Sequence, residues 1–123
     1  MKKTILITGA STGIGRATAE YFSAKGWNVA ATMRTPSKEN SLQSLSGVKL
    51  YALDVTDVHS IEKAFESTIN DFGGIDVVVN NAGYGAIGIF EKSTPEQIQK
   101  QFDTNVFGAM NVIRAILPYF RGK

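Results

Sequence analysis

Thr8-Gly9-Ala10-Ser11-Thr12-Gly13-Ile14-Gly15 is the stretch whose reading decides what this chain is. Before it, Thr4 to Thr8 is a short apolar, β-branched run of the kind that makes a buried strand. After it, Ile14, Ala17, Thr18, Tyr21 and Phe22 recur at helical spacing as a core-facing stripe, and Gly26 is placed to cap the helix end. Glycines between a strand and a helix let the chain turn sharply, let bare backbone approach a pyrophosphate, and let helix pack on sheet. The helix's free N–H groups and positive dipole end then face the phosphates. The spacing here is Gly-x-x-x-Gly-x-Gly rather than Gly-x-Gly-x-x-Gly. A tight turn without a ligand is the plain alternative. The flanking strand and helix favour a phosphate site made by Gly9, Ser11, Thr12, Gly13, Ile14 and Gly15.

Working outward, strand-like and helix-like stretches alternate. Val29 to Met33 reads as a second strand, then Pro36 and a polar stretch lead to a weak helix at Ser41 to Leu45. Val48 to Val55 is a third strand, with Thr56 or Asp57 as cap of the next helix. Ile61, Phe65, Ile69 and Phe72 mark that helix's buried face, and Gly73-Gly74 stops it. Ile75 to Asn80, with three consecutive valines, reads as a fourth strand buried on both faces. Thr94-Pro95-Glu96-Gln97 starts a helix that runs towards Phe120, interrupted near Asp103 to Asn105. This alternation predicts an α/β fold: a parallel sheet with helices on both faces.

Composition narrows the partners. At 123 residues the chain is one domain with room for a core, and 43% apolar with 20% charged residues is the balance of a soluble globular protein. A net charge of +2 is too slight to imply nucleic acid or an anionic membrane. There is no cysteine, and the single histidine, His59, has no neighbouring ligand set, so no metal site is expected. The apolar run Ile5 to Ile7 falls far short of the ~7–15 residues of a signal peptide, and no stretch approaches the ~18 of a membrane span. The expected location is the cytoplasm.

Four further segments carry chemistry. The second strand ends Thr32-Met33-Arg34, without the acid that an NAD site uses on the ribose 2′-hydroxyl. Arg34 would instead pair with a 2′-phosphate, with hydroxyl donors from Ser11 and Thr12, which favours NADP(H) over NAD(H). A solvated surface arginine is the alternative. Asp54 can accept from an adenine amino group while the backbone of Val55 meets the ring edge; a helix-capping aspartate is the alternative. Asn80-Asn81-Ala82-Gly83 follows the fourth strand. Asn105-Val106-Phe107-Gly108 lies inside the last helix, where asparagine is disfavoured, so Asn105 marks a kink whose freed carbonyl can hold water. An exposed helical asparagine is the bland reading of that position.

Together these segments resemble the short-chain dehydrogenase/reductase family over essentially the whole chain, in the family's order. Thr8 to Gly15 matches its Thr-Gly-x-x-x-Gly-x-Gly cofactor motif, and Asp54 its adenine-contacting aspartate. Asn80 to Gly83 matches its Asn-Asn-Ala-Gly motif, which steadies the central sheet and places Asn81, Ala82 and Gly83 beside the cofactor. Asn105 matches the active-site asparagine that helps hold a proton-relay water. Arg34 resembles the basic residue of NADP-preferring members. The resemblance implies a doubly wound (Rossmann) sheet in strand order 3-2-1-4 and hydride transfer between a nicotinamide and a carbonyl or alcohol.

The family's remaining machinery is a serine on the fifth strand and a Tyr-x-x-x-Lys pair on the helix after it. Lys123 precedes any such strand, so the expectation is a truncated domain, residues 1–123, that binds the dinucleotide but is inactive alone. Tyr21 to Lys25 and Tyr119 to Lys123 spell the same pattern as decoys. Tyr21 lies about 10 Å along the first helix, away from the catalytic end. The second pair follows Pro118 and contains Gly122, both poor for a rigid helical dyad. An open fourth-strand edge and one bare face of the long helix predict self-association, as a homo-oligomer. Tyr84, Ile87, Ile89 and Phe90 could edge an apolar substrate pocket, in a loop that resembles members acting on hydrophobic alcohols or ketones. Two other readings stand beside the oxidoreductase: a non-catalytic nucleotide-binding or assembly module on the same scaffold, and a doubly wound regulatory domain binding only a phosphate group.

Overall fold

Strand β1 (Thr4–Ile7) is buried along its whole length, which a strand needs if helices cover the sheet on both sides. The computed structural model describes residues 2–39, 41–85, 88 and 90–123. Beside β1 lie β2 (Asn28–Met33), β3 (Val48–Ala52) and β4 (Val77–Val79), all parallel, in the order β3-β2-β1-β4. Ile5 sits in register between Val29 of β2 and Val77 of β4. The strand order reverses between β1 and β4, so a crevice opens beyond their carboxyl ends.

Period-two alternation sorts the core into two layers. Ile5, Ile7, Val29, Ala31 and Met33 pack with Ala19 of α1 (Gly13–Ala24) and with Leu42, on a single 3₁₀ turn at Leu42–Ser44. Leu6 and Ala30 face the other way, towards Ile61, Ala64 and Phe65 of α2 (Val58–Phe72) and towards the last helix. That last helix is α3 (Pro95–Phe102) and α4 (Ala109–Arg121), joined through a π-helical turn at Asp103–Gly108. From α4, Val112 and Ile116 complete the second layer. No helix among the described residues is long and apolar enough to cross a membrane.

The start and stop signals act through identified bonds. Asp57 caps α2 by accepting from the amides of His59 and Ser60, and Gly73 ends it. Thr94 and Gln97 form a reciprocal capping box at α3, with Pro95 in the first turn.

Several expectations need correction. Ile14 and Tyr21 are 77% and 57% exposed; the face of α1 on the sheet runs through Gly15 and Ala19, with Phe22 partly buried. At Gly15 the helix comes too close to the glycine-rich turn for a side chain, since a β-carbon there would collide with the Gly9 carbonyl. The third strand ends at Ala52 rather than Val55, because the chain leaves the sheet to turn into α2. The fourth strand covers only Val77–Val79 and is not buried on both faces: Val77 is exposed and its neighbours half-buried, since β4 pairs with β1 alone among the described residues. The weak helix at Ser41 to Leu45 is the 3₁₀ turn around Leu42, pinned by that one buried leucine.

Candidate functional site: a cleft at the sheet's switch point

The glycine-rich turn crosses the point where strand order reverses. Its Thr8 amide donates to Val79 of β4 (3.1 Å), and its Ala10 amide donates to Thr32 of β2 (3.0 Å). Thr8 is fully buried, and its hydroxyl accepts the amides of both Asn81 and Ala82 at 2.9 Å. The Asn81 side chain donates to the carbonyls of Thr8 (3.2 Å) and Gly9 (3.1 Å). These bonds hold the loop after β4 against the turn after β1.

That proximity explains two of the glycines. Gly9 has φ +65°, and a β-carbon there would stand 2.9 Å from the Ala82 α-carbon. A β-carbon on Gly15 would stand 2.3 Å from the Gly9 carbonyl oxygen and 2.6 Å from the Asn81 amide nitrogen. Gly15 is buried and contributes by packing, whereas Gly9, Ser11, Thr12, Gly13 and Ile14 line the cleft.

The start of α1 suits an anion. Thr12 at the cap makes no side-chain bond to the helix, and the first turn contains no acid. The first bond into the helix is Arg16 to the Thr12 carbonyl (3.3 Å), so the amides of Gly13, Ile14 and Gly15 have no intrahelical acceptor. A β-carbon on Gly13 would meet nothing within 4 Å, and Gly13 and Ile14 both line the open cleft. The residues present therefore fit a diphosphate.

The cleft has a volume of about 740 Å³ and gathers the sequence candidates that follow the strand ends, whereas Asn105 is not on its wall. Arg34, at the end of β2, lies on its wall and is exposed. Asp54 is on the same wall, as are Val55, Asn81, Ala82 and Gly83. Asp54 Oδ1 accepts from the Thr56 amide (2.9 Å) and hydroxyl (2.7 Å), and it is Asp57, not Asp54, that caps α2. Burial pushes the Asp54 carboxyl up, but the Thr56 hydroxyl and amide and the Arg34 charge outweigh it and hold it below the usual aspartate range. It is an anion at neutral pH.

Asn105 lies in the π-helical turn, so the expected interruption of the long helix is found there. Its side chain clasps the backbone of Tyr84: Oδ1 accepts from the Tyr84 amide (2.9 Å), and Nδ2 donates to the Tyr84 carbonyl (2.6 Å). A β-carbon on Gly83 would stand 2.8 Å from Asn105 Oδ1. Asn80 donates to the Ala109 carbonyl at 2.9 Å, just past the π-helical turn. The neighbouring Asn111 donates to the Val55 carbonyl at 3.0 Å. Three asparagines thus tie the last helix to the loops around the cleft.

Neither decoy tyrosine lines this cleft. Tyr21 is exposed on α1, with the Lys25 ammonium over its ring. Tyr119 Oη accepts from the Ile75 amide at 3.1 Å, ahead of β4 and thus at the opposite end of the sheet. Tyr84 lines the cleft and is 42% exposed, and Phe90 is 79% exposed. Ile87 and Ile89 lie outside the described residues. Sequence reasoning missed the Thr8 hydroxyl as the joint of the site, although a threonine directly before the first glycine was its signal. It also missed Lys100, Asp103 and Thr104 on the cleft wall, because the π-helical turn changes which residues of the long helix face inward.

Fold and cleft define a class: a doubly wound α/β chain whose glycine-rich turn and helix start open into the crevice where strand order reverses. More specifically, the chain belongs to the short chain dehydrogenase family, whose sequence pattern matches residues 3–123. A 3-ketodihydrosphingosine reductase of Bacteroides thetaiotaomicron is 42% identical over 117 residues, covering 95% of this chain and 42% of that protein. The structure of ElxO with NADP bound superimposes with a TM-score of 0.84 at 29% identity, over 99% of this chain and 52% of that one. A 3-ketoacyl-(acyl-carrier-protein) reductase from Brucella melitensis, complexed with NADH, gives 0.90 at 28% identity over 98% and 50%. The chain therefore spans about half the length of these similar proteins, or less.

Proposed function

We propose that residues 1–123 form the NADP(H)-binding part of an oxidoreductase that moves hydride between the nicotinamide and a carbonyl or alcohol. The observation that carries this reading is the uncapped start of α1, set by Gly9 and Gly15 against Asn81–Ala82 at the head of a cleft walled by Arg34. In this reading the amides of Gly13 and Ile14 take the diphosphate, with Gly15 packed behind them. Arg34, Ser11 and Thr12 take the 2′-phosphate, Asp54 the adenine amino group, and the Val55 backbone the ring edge. Asn81, Ala82 and Gly83 lie along the ribose. When bound, the dinucleotide supplies the hydride; the protein supplies orientation and charge.

Asn105 contributes by holding Tyr84 and the π-helical turn, whose carbonyls can carry a water for proton relay. Exposed Tyr84 on the cleft wall, with a 3-ketodihydrosphingosine reductase among the similar proteins, supports an apolar carbonyl substrate. The 123 residues alone are proposed to bind cofactor without turnover, and to work in the cytoplasm. The edge of β4, which pairs with β1 alone among the described residues, and the exposed stripe Phe102, Val106, Met110, Ile113 and Leu117 support self-association.

Titration calorimetry of the 123-residue protein with NADP and with NAD tests the reading. NADP should bind more tightly, and Arg34→Asp should weaken NADP while sparing NAD. No binding of either dinucleotide at millimolar concentration would reject the cofactor assignment. Steady oxidation of NADPH with a carbonyl panel would reject inactivity, and a monomer in equilibrium sedimentation would reject self-association.

A further inference from the structure

A second arginine stands near the NADP-selective end of the cleft, and the sequence motifs give it no task. Arg16 projects from the first turn of α1, and its guanidinium touches three things at once. Nη1 donates to Glu39 Oε2 at 2.7 Å and to the Ser11 carbonyl at 3.4 Å, while Nη2 donates to the Ser41 hydroxyl. Glu39 is held as firmly from the other side. Its Oε1 accepts from the Ser41 amide (2.9 Å), the Ser41 hydroxyl (3.1 Å) and the Leu42 amide (3.0 Å). Leu42 is fully buried beneath α1. Side-chain exposure is 8% for Glu39 and 29% for Arg16, so this pair is better shielded than an ordinary surface ion pair.

The bonds form one path from the core to the phosphate turn: Leu42 amide, Glu39 carboxylate, Arg16 guanidinium, Ser11 carbonyl. Ser11 lies on the cleft wall that also holds Arg34, whereas Arg16 does not line the cleft. Arg16 thus braces the wall without facing its contents. We infer that Glu39 is a positioning residue for NADP selectivity, acting through Arg16 on Ser11. The inference rests on the NADP reading proposed above. A planar guanidinium is required, because one ammonium cannot span a carboxylate, a hydroxyl and a carbonyl in fixed directions.

The test is calorimetric titration of the 123-residue protein, Glu39→Gln and Arg16→Lys with NADP and with NAD, alongside thermal melts. Glutamine keeps an oxygen for the Ser41 and Leu42 amides but turns an amide donor towards Arg16. Both variants should bind NADP about tenfold more weakly, the effect of losing one charge-assisted bond, and bind NAD as before. Arg16→Lys keeps the positive charge, so NADP binding equal to the parent's would overturn the bracing argument. Equal loss of both dinucleotides would also overturn it, because that marks general damage to the turn. If Glu39→Gln fails to melt cooperatively, Arg16→Lys decides the question. Failure of the parent protein to bind NADP rejects the cofactor reading itself, and the inference with it; parent binding with unchanged variants rejects the inference alone.

Discussion

The Thr8 hydroxyl accepts the backbone amide of Asn81 at 2.9 Å, and the Asn81 side chain returns a bond to the Thr8 carbonyl at 3.2 Å. This two-way clasp joins the ends of β1 and β4, the strands between which the crevice opens. Thr8→Val keeps the shape and removes the acceptor, leaving the amides of Asn81 and Ala82 without it. We expect a loss of about 2 kcal/mol in urea denaturation, with Thr8→Ser within about 1 kcal/mol of the parent. A valine variant as stable as the parent would show that the clasp is dispensable.

Two glycines of the turn should respond differently to alanine. At Gly15 the new methyl would collide with the Gly9 carbonyl, a backbone atom fixed on both sides. Gly15→Ala should cost about 3 kcal/mol and abolish dinucleotide binding. At Gly13, φ is +59° but nothing lies within 4 Å, so Gly13→Ala should cost only the strain of that conformation, about 1 kcal/mol. Equal losses in denaturant melts would contradict this geometry.

Asn105 offers Tyr84 one acceptor and one donor, and only an amide does both. Asn105→Asp keeps the acceptor but turns an oxygen towards the Tyr84 carbonyl. The site is exposed, so the stability cost should be near 1 kcal/mol. The clearer readout is hydrogen exchange, in which the Tyr84 amide should lose protection in Asn105→Ala and keep part of it in Asn105→Asp.

Glu39 predicts an acid limb. The amides of Leu42 and then Ser41, with smaller contributions from the Arg16 and Ser41 side chains, hold its carboxyl near pH 2, against an ordinary 4.5. A carboxyl depressed in the folded state lends stability in full above its unfolded value and loses it as pH falls through the folded one. Melting temperatures of the parent and Glu39→Gln should therefore differ most above pH 4.5 and converge as pH approaches 2. Parallel curves across that window would exclude the effect.

Tyr119→Phe separates a structural tyrosine from a catalytic one. Loss of its bond to the Ile75 amide should cost about 1 kcal/mol, while NADP affinity stays unchanged. A fall in affinity would reopen its role.

Much of the fold was legible because it is written in local periodicity. β1 and α1, the Thr94–Gln97 box, and Gly73 as the end of α2 each depend on a few neighbouring residues. The same holds for the cleft residues that follow strand ends: Gly9, Arg34, Asp54 and Asn81 to Gly83. Helical spacing puts Ile14 and Tyr21 on a core stripe, but it names only a stripe; the packing of helix on sheet decides which stripe faces in. Three valines suggest a strand buried on both faces, but they do not reveal whether that strand has one neighbour or two.

Sequence alone determined the class of this chain: a strand, a glycine-rich turn and a helix in succession, each specified by residues within one or two turns of one another. Only the tertiary structure decided which atoms brace that turn. Thr8 with Asn81 lies 73 positions apart, Arg16 with Glu39 23, and Asn105 with Tyr84 21. The reason is physical: such bonds arise from how separate elements stack and where their ends meet, and no local pattern carries that distance.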